Sequence, residues 1–177
     1  MIATSAPSRA SRSATAAPIP RLPPVTSATR PASLYAAFGC KEELFREAVA
    51  LYEDMEGEPP LRALRAAATA WEGVEAMLRA NVRSYTAAGR PSGCMVVLAA
   101  TTYTPSTAGI RDFLAEQRRA GTAVVQERLE RGRADGDVPP GADTGALAAY
   151  VMSVQFGLSV QARDGPRVPS WTPWWTS

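Results

Sequence analysis

The chain has 177 residues, 46% of them hydrophobic and 20% charged, with a net charge of only +2; that allows one ordinary domain with a sizeable core, and any nucleic-acid binding must come from a local patch. It has no histidine, and its two cysteines are Cys40 and Cys94, which excludes a histidine general base, a His-ligated metal, a four-thiolate zinc site and a disulfide framework. Neither G-x-x-x-x-G-K-[ST] nor G-x-G-x-x-G occurs, so the usual phosphate cradles are missing.

Charge is unevenly spread. Lys41 is the only lysine, and all acidic residues lie from Glu42 onward. Residues 1–30 carry Arg9, Arg12, Arg21 and Arg30 among many Ala, Ser, Thr and Pro. Their few aliphatic residues have no helical spacing, and Pro7, Pro18, Pro20, Pro23 and Pro24 interrupt any helix. The segment is expected to be disordered, because it cannot bury enough apolar area to offset chain entropy. It fits a transit peptide, a basic arm for nucleic acid, or a misread frame ahead of a real domain. The abrupt change of composition at Pro31 favours the last. No apolar run suits a secretory signal.

From residue 31 the pattern is helical. Leu44, Phe45, Ala48, Val49, Tyr52 and Met55 recur at three and four, predicting an amphipathic helix that Gly57, Pro59 and Pro60 end. A second helix is predicted from about Leu61 to Ala87. Its inner face holds Leu64, Val74, Met77, Leu78, Val82 and Tyr85, with Trp71 in the core and Gly73 at a kink or break. A loop follows over Gly89–Gly93. The apolar run Cys94–Leu98 is taken as a buried helix, with Cys94 a small core residue.

Ile110, Phe113, Leu114, Gln117, Gly121, Val124, Val125, Arg128 and Leu129 mark the inner face of a long helix that Gly136 and Pro139-Pro140 stop. The last helix spans about Thr144 to Arg163 and is free of charge from Thr144 to Ala162. Gln155, Gln161, Ser153 and Ser159 are costly in lipid, so this helix is expected between protein layers, as at a subunit interface, rather than in a membrane. Residues 164–177, with Trp171, Trp174, Trp175 and three prolines, form an irregular tail.

One stretch is specific. Pro31 to Tyr52 reads PASLYAAFGCKEELFREAVALY. It resembles the DNA-binding signature of the TetR family of bacterial transcriptional regulators, in which a Ser-Leu-Tyr-x-x-Phe recognition helix, a Gly turn, Lys-Glu and a long amphipathic helix follow one another. Those elements are Ser33-Leu34-Tyr35, Phe38, Gly39, Lys41-Glu42 and Leu44-Phe45. The resemblance continues in the body through residues 92–100, 111–120 and 157–165. It implies an all-α, TetR-like helical bundle with a partial helix-turn-helix. The implied domains are 1–30 (disordered arm), 31–57 (partial DNA-binding domain), 58–163 (regulatory and dimerisation domain) and 164–177 (tail).

The resemblance also implies roles. Ala32 and Ser33 would approach base edges in the major groove, Tyr35 and Lys41 would meet phosphates, and Leu34 and Phe38 would seat the recognition helix. The implied activity is that of a cytoplasmic, DNA-binding regulator, in the usual family mode a repressor, released from operator DNA by a small apolar effector. It would be no enzyme, need no cofactor or metal, and touch no membrane. Met77, Tyr85, Met95, Val97, Tyr103 and Phe113 are candidates to line an effector pocket, although plain core is the simpler reading of each.

Three departures stand out. Residues 1–30 lack the two helices the family places before the recognition helix, and residues 166–177 cannot form its final helix, which completes a dimeric four-helix bundle. The expectation is a regulator truncated or frameshifted at both ends, with an impaired homodimer; the alternative is a degenerate fragment without sequence-specific DNA binding. Cys40 stands where the family has a better capping residue ahead of Glu43, which weakens that helix start by ~1 kcal/mol.

Overall fold

The computed structural model describes residues 36–99, 101 and 103–165. Two compact units divide at Ala37/Phe38. Of the first, only residues 36 and 37 are described, and both are helical. Ala32, Ser33, Leu34 and Tyr35, the arm 1–30 and the Trp-rich stretch 166–177 lie outside the described residues.

The second unit is helical, without a strand among the described residues. Helix α1 (Lys41–Tyr52) follows a turn at Gly39, whose φ of 75° suits glycine. Cys40 is its N-cap and makes no side-chain capping bond, in keeping with the weak acceptor character of a thiol.

The predicted stop at Gly57, Pro59 and Pro60 does not occur. A π turn, Glu53–Gly57, carries the chain directly into α2 (Glu58–Ala66), with Pro59 and Pro60 in the first turn of α2. The Glu58 N–H bonds to the carbonyl of Glu53, five residues back. Proline lacks an N–H and its ring strikes the carbonyl four residues earlier in an α-helix. The wider π turn removes that conflict, so the helix axis continues.

The predicted helix 61–87 is instead two helices. Ala67 is extended (φ −68°, ψ 149°), and α3 (Ala70–Tyr85) begins afresh. Thr69 and Glu72 form a capping box, with Glu72 N–H donating to Thr69 Oγ1 at 3.2 Å and Thr69 N–H to Glu72 Oε2 at 3.1 Å. The Ala70 N–H donates to Asp137 Oδ2 at 2.8 Å. Trp71 is not in the core; it is 71% exposed. The buried stripe of α3 is Ala70, Val74, Met77, Asn81 and Tyr85, and Trp71 lies one residue off it. Met55, expected inside, is 61% exposed.

Of the run expected to be helical, α4 covers Met95–Leu98, while Cys94 is its extended N-cap. A 3₁₀ turn leads into α5 (Ala108–Asp135), which Gly136 closes in the left-handed conformation at φ 88°. Helix α6 (Thr144–Gln161) is capped by Asp143 Oδ1, which accepts from Ala146 N–H at 3.0 Å. No helix among the described residues is long and apolar enough to cross a membrane.

Two apolar clusters hold this unit. One joins Leu64, Val74, Met77, Val125, Leu129 and Met152 from α2, α3, α5 and α6. The other joins Val49, Val96 and Leu114 from α1, α4 and α5, with Phe45, Met95 and Phe113 packed on it.

Candidate functional site

Between the two clusters lies a cavity of about 80 Å³. Helical spacing places its walls. Tyr52, Glu56 and Pro60 recur every four residues along the π turn and α2, and Met77, Asn81 and Tyr85 do so along α3. Gln117, Arg118 and Gly121 face it from α5, and Met152, Gln155 and Phe156 from α6. Glu53, Gly57, Leu61, Cys94, Val96 and Val97 complete the lining.

The polar groups of the wall are mostly held by the protein. Glu56 pairs with Arg90 and accepts from Ser84 Oγ at 2.7 Å, tying the π turn to α3 and the loop after it. Asn81 Nδ2 donates to the carbonyl of Met77 at 3.1 Å, and Arg118 Nη1 to that of Val96 at 3.2 Å. The Cys94 N–H donates to Ser159 Oγ at 2.7 Å, which fixes the start of α4 on α6. Gln155 Nε2 donates to Tyr85 Oη at 3.3 Å. Burial pushes both the Tyr52 and Tyr85 phenols above their usual range, and the neighbouring Cys94 adds to the rise. Glu53, half-buried in the π turn, is also raised, first by burial and then by Asp54.

Of the six pocket candidates, Met77, Tyr85 and Val97 line this cavity. Met95 and Phe113 pack on the second apolar cluster instead, and the Arg46 guanidinium stacks 4.7 Å from the Phe113 ring centroid. Tyr103 is exposed, with Arg111 over its ring. Cys94 is half-buried in the cavity wall rather than fully buried in the core. Gln117 and Gly121 were placed on an inner helix face by their spacing, whereas Asn81 and Gln155 carry no apolar signal and were overlooked; the four-residue spacing of Asn81 from Met77 and Tyr85 was the available clue. Of the DNA-facing candidates, Phe38 and Lys41 are described. Phe38 is half-buried, and Lys41 is exposed at the N-terminus of α1.

A further surface is notable. Helix α6 carries no charged residue, yet Leu147, Tyr150 and Val160 are exposed on it, Tyr150 at 69%.

The family described as tetracyclin repressor-like, C-terminal domain, matches residues 60–163. The chain is 28% identical over 134 residues to the HTH-type transcriptional repressor ComR of Escherichia coli (strain K12), covering 75% of this chain and 64% of ComR. It is 29% identical over 135 residues to the HTH-type transcriptional repressor BdcR of the same strain, covering 76% of this chain and 64% of BdcR. The chain thus spans 64% of the length of both repressors. Among solved structures, it is similar to the TetR family transcriptional regulator CifR complexed with 26 bp operator DNA, at 47% identity and a TM-score of 0.74, covering 76% of this chain and 71% of that one. A TetR transcriptional regulator from Rhodococcus sp. RHA1 is 40% identical with a TM-score of 0.55, covering 77% of this chain and 72% of that one.

Proposed function

Because the chain belongs to the TetR family of transcriptional regulators, we propose that it is a repressor that binds operator DNA as a dimer and lets go when a small molecule fills the cavity. The observation that carries this reading is the unbroken helical path from Lys41 to Ala66. It begins at the lysine assigned to the DNA backbone, and its π turn is one wall of the cavity. An occupant that presses on the π turn acts on the same rigid rod that carries Lys41. That is a coupling between two distinct sites.

In this reading Ala32 and Ser33 read base edges, Tyr35 and Lys41 hold phosphates, and Leu34 and Phe38 support the recognition helix. Residues 31–57 serve DNA and residues 58–163 serve effector and dimer. The charge-free α6, with Leu147, Tyr150 and Val160 exposed, supports a second copy as partner. The chain acts in the cytoplasm, where operator DNA is found, and it regulates rather than catalyses.

The test is selection of duplexes from a random library by the purified chain, followed by binding across a salt series. A single enriched sequence, bound at sub-micromolar Kd, is expected. Lys41→Ala should weaken every duplex alike and lower the slope of log K against log salt by about one. No enriched sequence, with binding that vanishes at high salt, would instead identify a fragment whose only DNA contacts are electrostatic.

A further inference from the structure

Arg118 stands apart among the charged groups of the cavity. It is the only base among the lining residues, and it is half-buried. Its Nη1 donates to the carbonyl of Val96 at 3.2 Å. Among the described residues, that is the one hydrogen bond of its guanidinium. It joins none of their ion pairs, which take Arg62, Arg65, Arg79, Arg90, Arg111 and Arg119 instead. A guanidinium carries five N–H donors and cannot give up its charge. A cation held part-way out of water beside a lone carbonyl lacks the anion that such groups ordinarily have.

The acids of the wall do not supply it. Both belong to the π turn, whereas Arg118 lies on α5 and holds α4. Glu56 is matched by Arg90 and accepts from Ser84 Oγ as well. Glu53 is acted on by its own burial and then by Asp54, and Arg118 is not among its causes. The rest of a ligand would meet a different surface. Leu61, Met77, Met152 and Phe156 line the cavity and belong to, or pack on, the first apolar cluster. The cavity opens to solvent, so an apolar body is not limited to the enclosed volume.

We propose that the cavity binds a monocarboxylate with an apolar body, its head paired with the remaining donors of Arg118 and its body laid along Leu61, Met77, Met152 and Phe156. A planar carboxylate matches the guanidinium fork, in two parallel N–H···O bonds. A single negative charge suits the site better than a phosphate, because the π-turn acids oppose a second one. The regulatory meaning of this site rests on the effector reading above; its binding does not.

Met77 and Met152 line the cavity, so their methyl groups report on its occupant. The full chain, labelled with ¹³C at the methionine methyls, is titrated with butanoate, hexanoate and octanoate, each beside its uncharged amide. At least one carboxylate should shift both resonances saturably, with a Kd at least about tenfold below that of its amide. Arg118→Gln should erase that preference and leave the Kd of the amide within about twofold. A residue that only braced α4 through the Val96 carbonyl would instead weaken acid and amide alike when replaced. Circular dichroism verifies the fold of the variant, and Arg118→Met serves where Arg118→Gln does not fold. The proposal is overturned if the amides bind the unmutated chain as tightly as the acids, if the variant keeps the preference or loses both ligands alike, or if none of the six probes shifts the two methyls. Release of a selected duplex is measured separately. Carboxylate binding without release supports the site and overturns the effector reading; sequence-specific DNA binding without carboxylate binding overturns this proposal alone.

Discussion

Gly73 lies where α3 crosses α2, and a Cβ built on it would sit 2.5 Å from the carbonyl oxygen of Leu64. That oxygen is backbone and cannot swing aside. Gly73→Ala raises helix propensity, yet it should destabilise the chain by about 1–3 kcal/mol, because the two helices must part; urea unfolding measures it. Gly73 could be read from the sequence as a place of change, but its job is close approach, and the break is at Ala67–Thr69. Arg128 makes a related point. It falls on the apolar stripe of α5 and is 3% exposed, with Nη2 donating to the carbonyls of Ala67 and Ala68 at 3.3 Å each. The stripe placed it inside. Only the structure shows that it serves the orphan carbonyls at the end of α2, as a helix C-terminus favours.

Among the elements, the π turn has the most to explain. Period-three-and-four spacing made the helices of this chain legible; the inner face of α5 came through correct, and α6 came through in its extent. The same logic failed at residues 53–60, because a proline pair signals a stop only while the hydrogen bonds keep the α pattern. Trp71 misled for another reason: size suggests burial, but the stripe through Ala70, Val74 and Met77 excludes its neighbour. Polar members of the cavity lining such as Gln155 and Asn81 were likewise out of reach, since they give no hydrophobic periodicity. The π turn also has a measurable cost. Glu53 binds its proton more tightly in the folded chain than the usual carboxyl near 4.5. The folded state therefore holds more protons than the unfolded one, and stability falls as pH rises through the raised value. Glu53→Gln should raise the melting temperature at pH 7, and the gain should disappear below about pH 4, where the carboxyl is protonated in both states. A gain that persists at low pH would mean that charge is not its source.

At the scale of the molecule, α6 is the surface on which the proposed dimer rests. It is uncharged from end to end, and Leu147, Tyr150 and Val160 are exposed on it. Tyrosine at the centre of such a face is a common energetic anchor. Tyr150→Asp should raise the dimer dissociation constant by at least about tenfold in sedimentation equilibrium, while the circular dichroism of the helices stays unchanged. An unaltered dimer would place the partner on another face. The unbroken path from Lys41 to Ala66 has a bearing on recombination between relatives. A π turn holds one residue more than an α turn between the same ends, so it acts as a phase shift of ~100° and ~1.5 Å for everything ahead of it. Deleting one codon within 53–57 would leave every side chain of α1 in place in the text of the gene and on a different side of the rod. Chimaeras of this family should therefore be spliced upstream of residue 53 or downstream of residue 60, so that each half keeps the helical phase it was selected with.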